Sequence, residues 1–394
     1  MAYTVPDWDT TIDRRHSDSL KWTHYPEDVL PLWVADADFL SPEPVLQALQ
    51  RRVEHGVFGY GAAPRDLIML LVERLHRLYA WDVSPESLVL LPGVVAGVNM
   101  ACRAFASPGE GVLVQPPVYP PILQAHRHAS LTNQQAPLAR EADGRYVVDL
   151  ETFRRTIDDR SRLFILCNPH NPVGRVFTGA ELEAMARICL DHGLLICSDE
   201  IHCDLIYSGQ RHVPIASLDP EIAARTVTLM APSKTFNIAG LQCAFAVIPD
   251  EEMRRRFRAA GAGLVQVPNV LALVAAEAAY RSGEEWLASL LAYVQDNRDH
   301  TARRVQQSLP GIRMAPPEGT YLAWLDCRDA NLPCSPYQFF LQEAKVALGD
   351  GHSFGPGGEG YVRLNFACPR SVLDEALDRM AAALARVPRN ETAD

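Results

Sequence analysis

The chain has 394 residues, 48% hydrophobic and 22% charged, with 48 acidic residues against 37 lysines and arginines and a formal charge of −11. These values exclude a disordered or fibrous chain and leave length for two or three domains with buried cores. An acidic chain also lacks the positive charge that displaces counterions from a duplex, which excludes nucleic acid as the main partner.

In chain order, apolar spacing predicts helices over 44–54, 64–79, 94–106, 119–129, 149–157 and 178–192. Short apolar runs separate them: LVLL at 88–91, GVLVQ at 111–115, RLFILC at 162–167, LLICS at 194–198, TVTLM at 226–230 and CAFAVI at 243–248. These runs do not alternate with polar residues, as expected of strands buried on both faces, and strands alternating with helices predict an α/β domain with a mostly parallel sheet. Further on, a helical region over 268–308, interrupted near Ser282 and Gly283, leads to the strand TYLAWLD at 320–326. A helix at 335–346, the strand YVRLNFA at 361–367 and a last helix from 370 complete a smaller α+β unit. The expected division is a large domain over 45–280 and a small domain joining 1–44 to 281–394. No internal repeat interrupts this order, and the tail after Val387 reads as polar and frayed, with a sequon at Asn390 that needs secretion to matter.

The N-terminus MAYTVPDWDTTIDRR has no apolar h-region, and no apolar run approaches the roughly 18–20 residues of a membrane span. Nine scattered cysteines, an odd number with no C-x-x-C pair, make a poor disulfide framework. Cys197, His202 and Cys203 do not have the spacing of a zinc site, so no metal is expected. Together these features predict a cytoplasmic protein away from membranes.

Three polar residues stand at the ends of predicted core strands, where α/β sheets bind ligands. Lys234, in TLMAPSKTFNIAG, is bracketed by apolar residues, so it is either a solvated loop lysine or one whose lowered pKa suits a Schiff base. Asp199, in LLICSDEIHCDL, can bind a metal, accept a hydrogen bond or hold a protonated pyridine nitrogen. Asn171, in FILCNPHNPVG, offers an amide to the same crevice from a proline-stiffened loop. Each alone is an ordinary turn residue. Together at three strand ends they point to a bound group.

The order N-P-x-N-P-x-G, then S-D-E, then S-K-T-F resembles fold-type I pyridoxal-phosphate enzymes. The blocks KWTHYPEDVLPLWVADADF, HGVFGYG, PPVYPPI, NPHNPVGRVFT, SDEIHCDL, APSKTFNIAGLQ, PEGTYLAWLDCR and YVRLNFACPR resemble the MalY/PatB-type carbon–sulfur β-lyases over nearly the whole chain. That resemblance implies the cofactor pyridoxal 5′-phosphate, joined to Lys234, which also serves as the base at the substrate Cα. It implies that Asp199 pairs with the ring nitrogen, Asn171 bonds the ring oxygen and Tyr119 stacks on the ring. The amides of Val94 and Val95 at a helix start and the hydroxyl of Ser233 would hold the phosphate. Arg363 would grip the substrate carboxylate, a task for a planar bidentate donor. Tyr60 would reach in from a partner subunit towards phosphate and substrate, which implies a homodimer.

Two positions depart from the wider aminotransferase pattern. Gln242 stands eight residues after Lys234, where an arginine is frequent, and His202 stands three after Asp199 in place of a tyrosine. His202 either acts near the ring oxygen or is a satisfied core histidine. GPGGEG at 355–360 matches G-x-G-x-x-G but precedes a strand and opens no helix, so it reads as a flexible loop at the small domain's active-site edge, not a dinucleotide site. The expected reaction is α,β-elimination on cystathionine or a related cysteine S-conjugate, a small-molecule substrate, to thiol, pyruvate and ammonia. An aminotransferase on the same scaffold is the alternative, and a transcription-regulatory partner protein with incidental lyase activity is a third.

Overall fold

The computed structural model describes residues 5–387, so the expected frayed tail and Asn390 lie outside it. Seven strands form the central sheet, in the order Leu88–Leu91, Ala244–Val247, Thr226–Met230, Leu195–Asp199, Ser161–Cys167, Gly111–Val114, Thr132–Gln135. Ala244–Val247 runs antiparallel to both neighbours, and the pairs among the five strands beyond it are parallel. Six of the seven were expected from their apolar runs. The seventh, the polar edge strand TNQQ at Thr132–Gln135, has no such run, and partners Gly111–Val114 along one side alone.

Helices cover both faces. Val94–Phe105 and Glu251–Gly261 pack in one apolar cluster with Val98, Phe105, Leu229 and Phe257, while Gly179–Asp191 packs on the other face with Leu182, Met185, Phe164 and Ile196. Gly97 is where the first of these helices comes closest to the sheet: a Cβ there would lie 2.7 Å from Leu229 Cδ2. Sequence periodicity missed Glu251–Gly261, whose start is marked by Asp250 accepting from the Met253 amide at 2.7 Å.

The C-terminal part holds a four-stranded sheet in the order Arg313–Met314, Leu322–Asp326, Tyr361–Asn365, Gly349–Asp350. The long helical region divides at Gly283 into Val270–Ser282 and Glu284–Ser308, as expected. The helix expected over 335–346 is corrected. Pro336–Phe339 is α-helical, Phe340–Ala344 widens to a π turn, and Lys345 turns left-handed at φ 55°. Val346–Ala347 then pairs in parallel with Leu30–Pro31, so strand pairing overrides helical periodicity there. GPGGEG opens no helix: Gly355 lies against Leu123 and Pro116, and the Val118 amide donates to Phe354 O at 2.9 Å.

Residues 32–41 run as a strap between these two regions. The Leu32 carbonyl accepts from the Asn365 amide at 2.9 Å, and Asn365 Nδ2 donates to the carbonyls of Val34 and Asp36, both at 2.7 Å. On the other side Asn237 exchanges hydrogen bonds with Ala37 and reaches Phe39 O at 2.8 Å. The strap ties the strand bearing Arg363 to the turn bearing Lys234.

Candidate active site

A cavity of about 510 Å³ opens at the carboxyl ends of the central strands. The short helix Pro232–Thr235 carries Lys234 straight off the strand Thr226–Met230, and Thr235 Oγ1 anchors that turn to Asp204 at 2.9 Å. Lys234 Nζ donates to the Ala35 carbonyl at 2.6 Å. Burial pulls its pKa down to about 8, against the opposing pull of Asp36 and Asp199. This amine is deprotonated far more readily than a surface lysine, as a nucleophile or base requires.

Asp199 ends its strand and is buried; one carboxylate oxygen accepts the Ile201 amide at 3.1 Å, and no side-chain donor among the described residues meets it. Burial raises its pKa to about 7, so a cationic partner brought into the cavity would be strongly favoured. Asn171 is buried beyond Cys167 and lines the cavity, and its Oδ1 accepts from Arg363 Nη1 at 3.0 Å. Arg363, in the strand Tyr361–Asn365, also donates to Trp33 O at 2.7 Å and lies 5.1 Å over the Phe354 ring. Its Nε is buried with no partner, and burial lowers its pKa to about 10, leaving it charged. A guanidinium with no carboxylate beside it is prepared for one from outside the protein.

Val94, Val95 and Ser233 line the same cavity where Gly93 opens the helix Val94–Phe105, with Val94 buried and Val95 exposed. A helix start with free amides next to a hydroxyl suits a phosphate. Tyr119, the residue before the helix Pro120–His128, lines the cavity too, and burial raises its pKa. His202 is buried in the lining with Nδ1 unpartnered, so it is not a satisfied core histidine. Burial, with Lys234 and Arg363 nearby, lowers its pKa to about 3 and keeps it neutral.

Nine of the ten expected residues therefore share one cavity. Tyr60 does not: it stands fully exposed on the segment 56–64, outside the lining. Leu20, Trp33, Ala35, Cys167 and Cys243 line the cavity without having been assigned a role from sequence. Trp33 and Ala35 lie in the block WVADADF, and that block was the available signal. Among the described residues no three His, Cys, Asp or Glu side chains gather as metal ligands, and no helix is long and apolar enough to cross a membrane. An amine, an acid for a ring cation, an amide, an aromatic face and a phosphate cradle fit the parts of pyridoxal phosphate one by one.

Comparison with known proteins agrees with that fit. The family Aminotransferase class I and II matches residues 27–380. Cystathionine beta-lyase PatB of Bacillus subtilis is 40% identical, covering 96% of this chain and all (100%) of its own. Two solved structures superpose closely: OvoB, with TM-score 0.93 at 44% identity over 97% of this chain and 100% of its own, and the pyridoxal-phosphate-bound C-S lyase of Staphylococcus hominis, with TM-score 0.91 at 32% identity over 97% and 99%. With the cavity's chemistry and matches that run nearly end to end, the chain belongs to the class I and II aminotransferase family of fold-type I pyridoxal-phosphate enzymes, among its PatB-type carbon–sulfur lyases.

Proposed function

We propose that the protein catalyses α,β-elimination on cysteine S-conjugates of the cystathionine type, releasing a thiol, pyruvate and ammonia. The observation that supports this best is the set of charges in the cavity, where Arg363 faces Lys234 and no second cation lines the wall among the described residues. That set suits one amino-acid carboxylate and a proton-transfer group.

The roles follow from the geometry. Arg363 binds the substrate carboxylate through its unpartnered edge and so fixes the Cα–H bond relative to Lys234. The cofactor, when bound, supplies the electron sink that makes the Cα proton removable. Asp199 would hold the ring nitrogen's proton, and Asn171, fixed by Arg363, would donate to the ring oxygen. Lys234 takes the Cα proton, helped by an amine pKa near 8 that leaves a useful fraction neutral. Lys234 Nζ is held by the Ala35 carbonyl at 2.6 Å. Tyr119 would cover the ring face, and Val94, Val95 and Ser233 would hold the phosphate.

We also divide the chain into a large domain over 45–280 and a small one joining 1–44 to 281–394. Tyr60 is assigned to a neighbouring subunit's cavity. Val57, Phe58 and Tyr60 stand exposed together, and Val95, Leu264 and Val267 are exposed as well, an apolar set that a second copy would cover. The eight buried unpaired cysteines suit the reducing cytoplasm. The test is product analysis with L-cystathionine and simpler S-conjugates: pyruvate and thiol should accumulate over many turnovers without a keto acid. Turnover that requires a keto-acid acceptor and releases no thiol would replace the lyase with an aminotransferase.

A further inference from the structure

Phe354 ends the short helix Gly351–Phe354, just before the glycine-rich segment 355–360, and is buried. Arg363 Cζ stands over its ring, 5.1 Å from the centre. The small sheet leaves room for this stack. Gly349 and Trp324 are the cross-strand partners of Arg363 in its two neighbouring strands. A Cβ at Gly349 would lie 3.2 Å from Arg363 Cβ and 3.5 Å from its Nε, so glycine keeps that side open for the arginine stem.

The ring is itself held. Trp324 meets it edge-to-face at 5.3 Å and stacks on Tyr361 at 5.0 Å and 9°, while Trp324 Nε1 donates to the Tyr146 hydroxyl at 3.2 Å. The Phe354 backbone is anchored as well. Its carbonyl accepts the Val118 amide at 2.9 Å, and Gly355 follows at φ 92°, where a Cβ would lie 2.8 Å from Leu123 Cδ2. No side chain but glycine's fits that turn without strain.

A guanidinium carries all its N–H donors in one plane. Asn171 Oδ1 and Trp33 O take two of them from Nη1 and Nη2, and Nε keeps none. An aromatic ring on the flat face takes no donor, yet it attracts the charge, most strongly where water is excluded. We infer that Phe354 is a positioning residue for the substrate carboxylate, its ring fixing the plane in which Arg363 offers its remaining N–H groups. The inference rests on the carboxylate role of Arg363 and deepens it. The fork is then ordered before substrate arrives, and binding does not have to order it.

The experiment replaces Phe354 in the holoenzyme with its 4-fluoro, 3,5-difluoro and 3,4,5-trifluoro analogues, which weaken the negative ring face stepwise and nearly keep its shape. With L-cystathionine, KM for pyruvate release should rise at each step, by about threefold to tenfold at three fluorines, with kcat within about twofold. The same series in Arg363→Met chains should leave KM flat. Phe354→Leu, which stays apolar but has no ring, should raise KM by about tenfold. A merely space-filling ring would not respond to fluorine. A KM that ignores fluorine number while Arg363→Met still raises it would overturn the inference and leave the carboxylate role standing. An Arg363→Met KM equal to that of the native chain, or no pyruvate from the native chain, would overturn both.

Discussion

Arg363 gives the sharpest separation of function from stability. It is a buried cation with no carboxylate partner among the described residues; its hydrogen-bond acceptors are Asn171 Oδ1 at 3.0 Å and Trp33 O at 2.7 Å. Replacing it with methionine removes an unpaired buried charge, whose effective desolvation penalty is several kcal/mol. The same change strands two acceptors, at about 1–3 kcal/mol each. These terms offset, so the unfolding free energy of the cofactor-free Arg363→Met protein should change by no more than about 2 kcal/mol in either direction. Substrate binding has no such compensation. A charge-assisted bond to the carboxylate contributes roughly 1.5–3 kcal/mol, which raises KM about ten- to a hundredfold. Arg363→Lys should recover part of that loss but not the fork geometry. The assays are urea unfolding of the cofactor-free protein and steady-state pyruvate release. A strongly destabilised variant with unchanged KM would show that Arg363 is a structural residue and that another group holds the carboxylate.

Asp199 makes the cofactor-free protein pH-sensitive. Its folded pKa of about 7 lies above the ordinary 3.8, so the folded state holds the proton more tightly. That contribution is complete below about 4 and is lost as pH rises through about 7. Unfolding midpoints measured across that window should fall with pH in the native chain, and Asp199→Asn should flatten the slope. Asp199→Asn should also reduce kcat by about 10²–10³, as for loss of one preorganised electrostatic partner. An unchanged slope would mean that Asp199 is ionised throughout. Gly97→Ala should destabilise the fold by about 1–3 kcal/mol through overpacking, because the new methyl meets Leu229 at 2.7 Å and Leu91 at 3.0 Å. A neutral thermal shift would show that these leucines repack freely. Tyr60→Ala should lower kcat/KM although Tyr60 touches nothing in its own cavity, and mixing it with Lys234→Ala chains should restore activity in hybrid dimers. No restoration would place the cavities within single chains.

What was legible in the sequence was whatever one segment determines alone. LVLL, RLFILC and TVTLM are dominated by apolar residues because helices cover both faces of the sheet, and that pattern needs no knowledge of neighbours. Lys234, Asp199 and Asn171 were legible for the same reason, each lying at or just beyond the carboxyl end of such a strand. Elements governed by pairing were not: TNQQ at Thr132–Gln135 is a strand because Gly111–Val114 offers an open edge, and Val346–Ala347 leaves its expected helix because Leu30–Pro31 lies alongside. The substrate end of the cavity is of this second kind. Ala35 meets Lys234 and Trp33 meets Arg363 across 199 and 330 residues of sequence. No local pattern in WVADADF announces those contacts. They arise because Asn365 and Asn237 seize the backbone of the same strap from opposite sides. Once that strap is fixed, its carbonyls at Ala35 and Trp33 stand against Lys234 and Arg363, so one segment of backbone ties the base to the carboxylate grip.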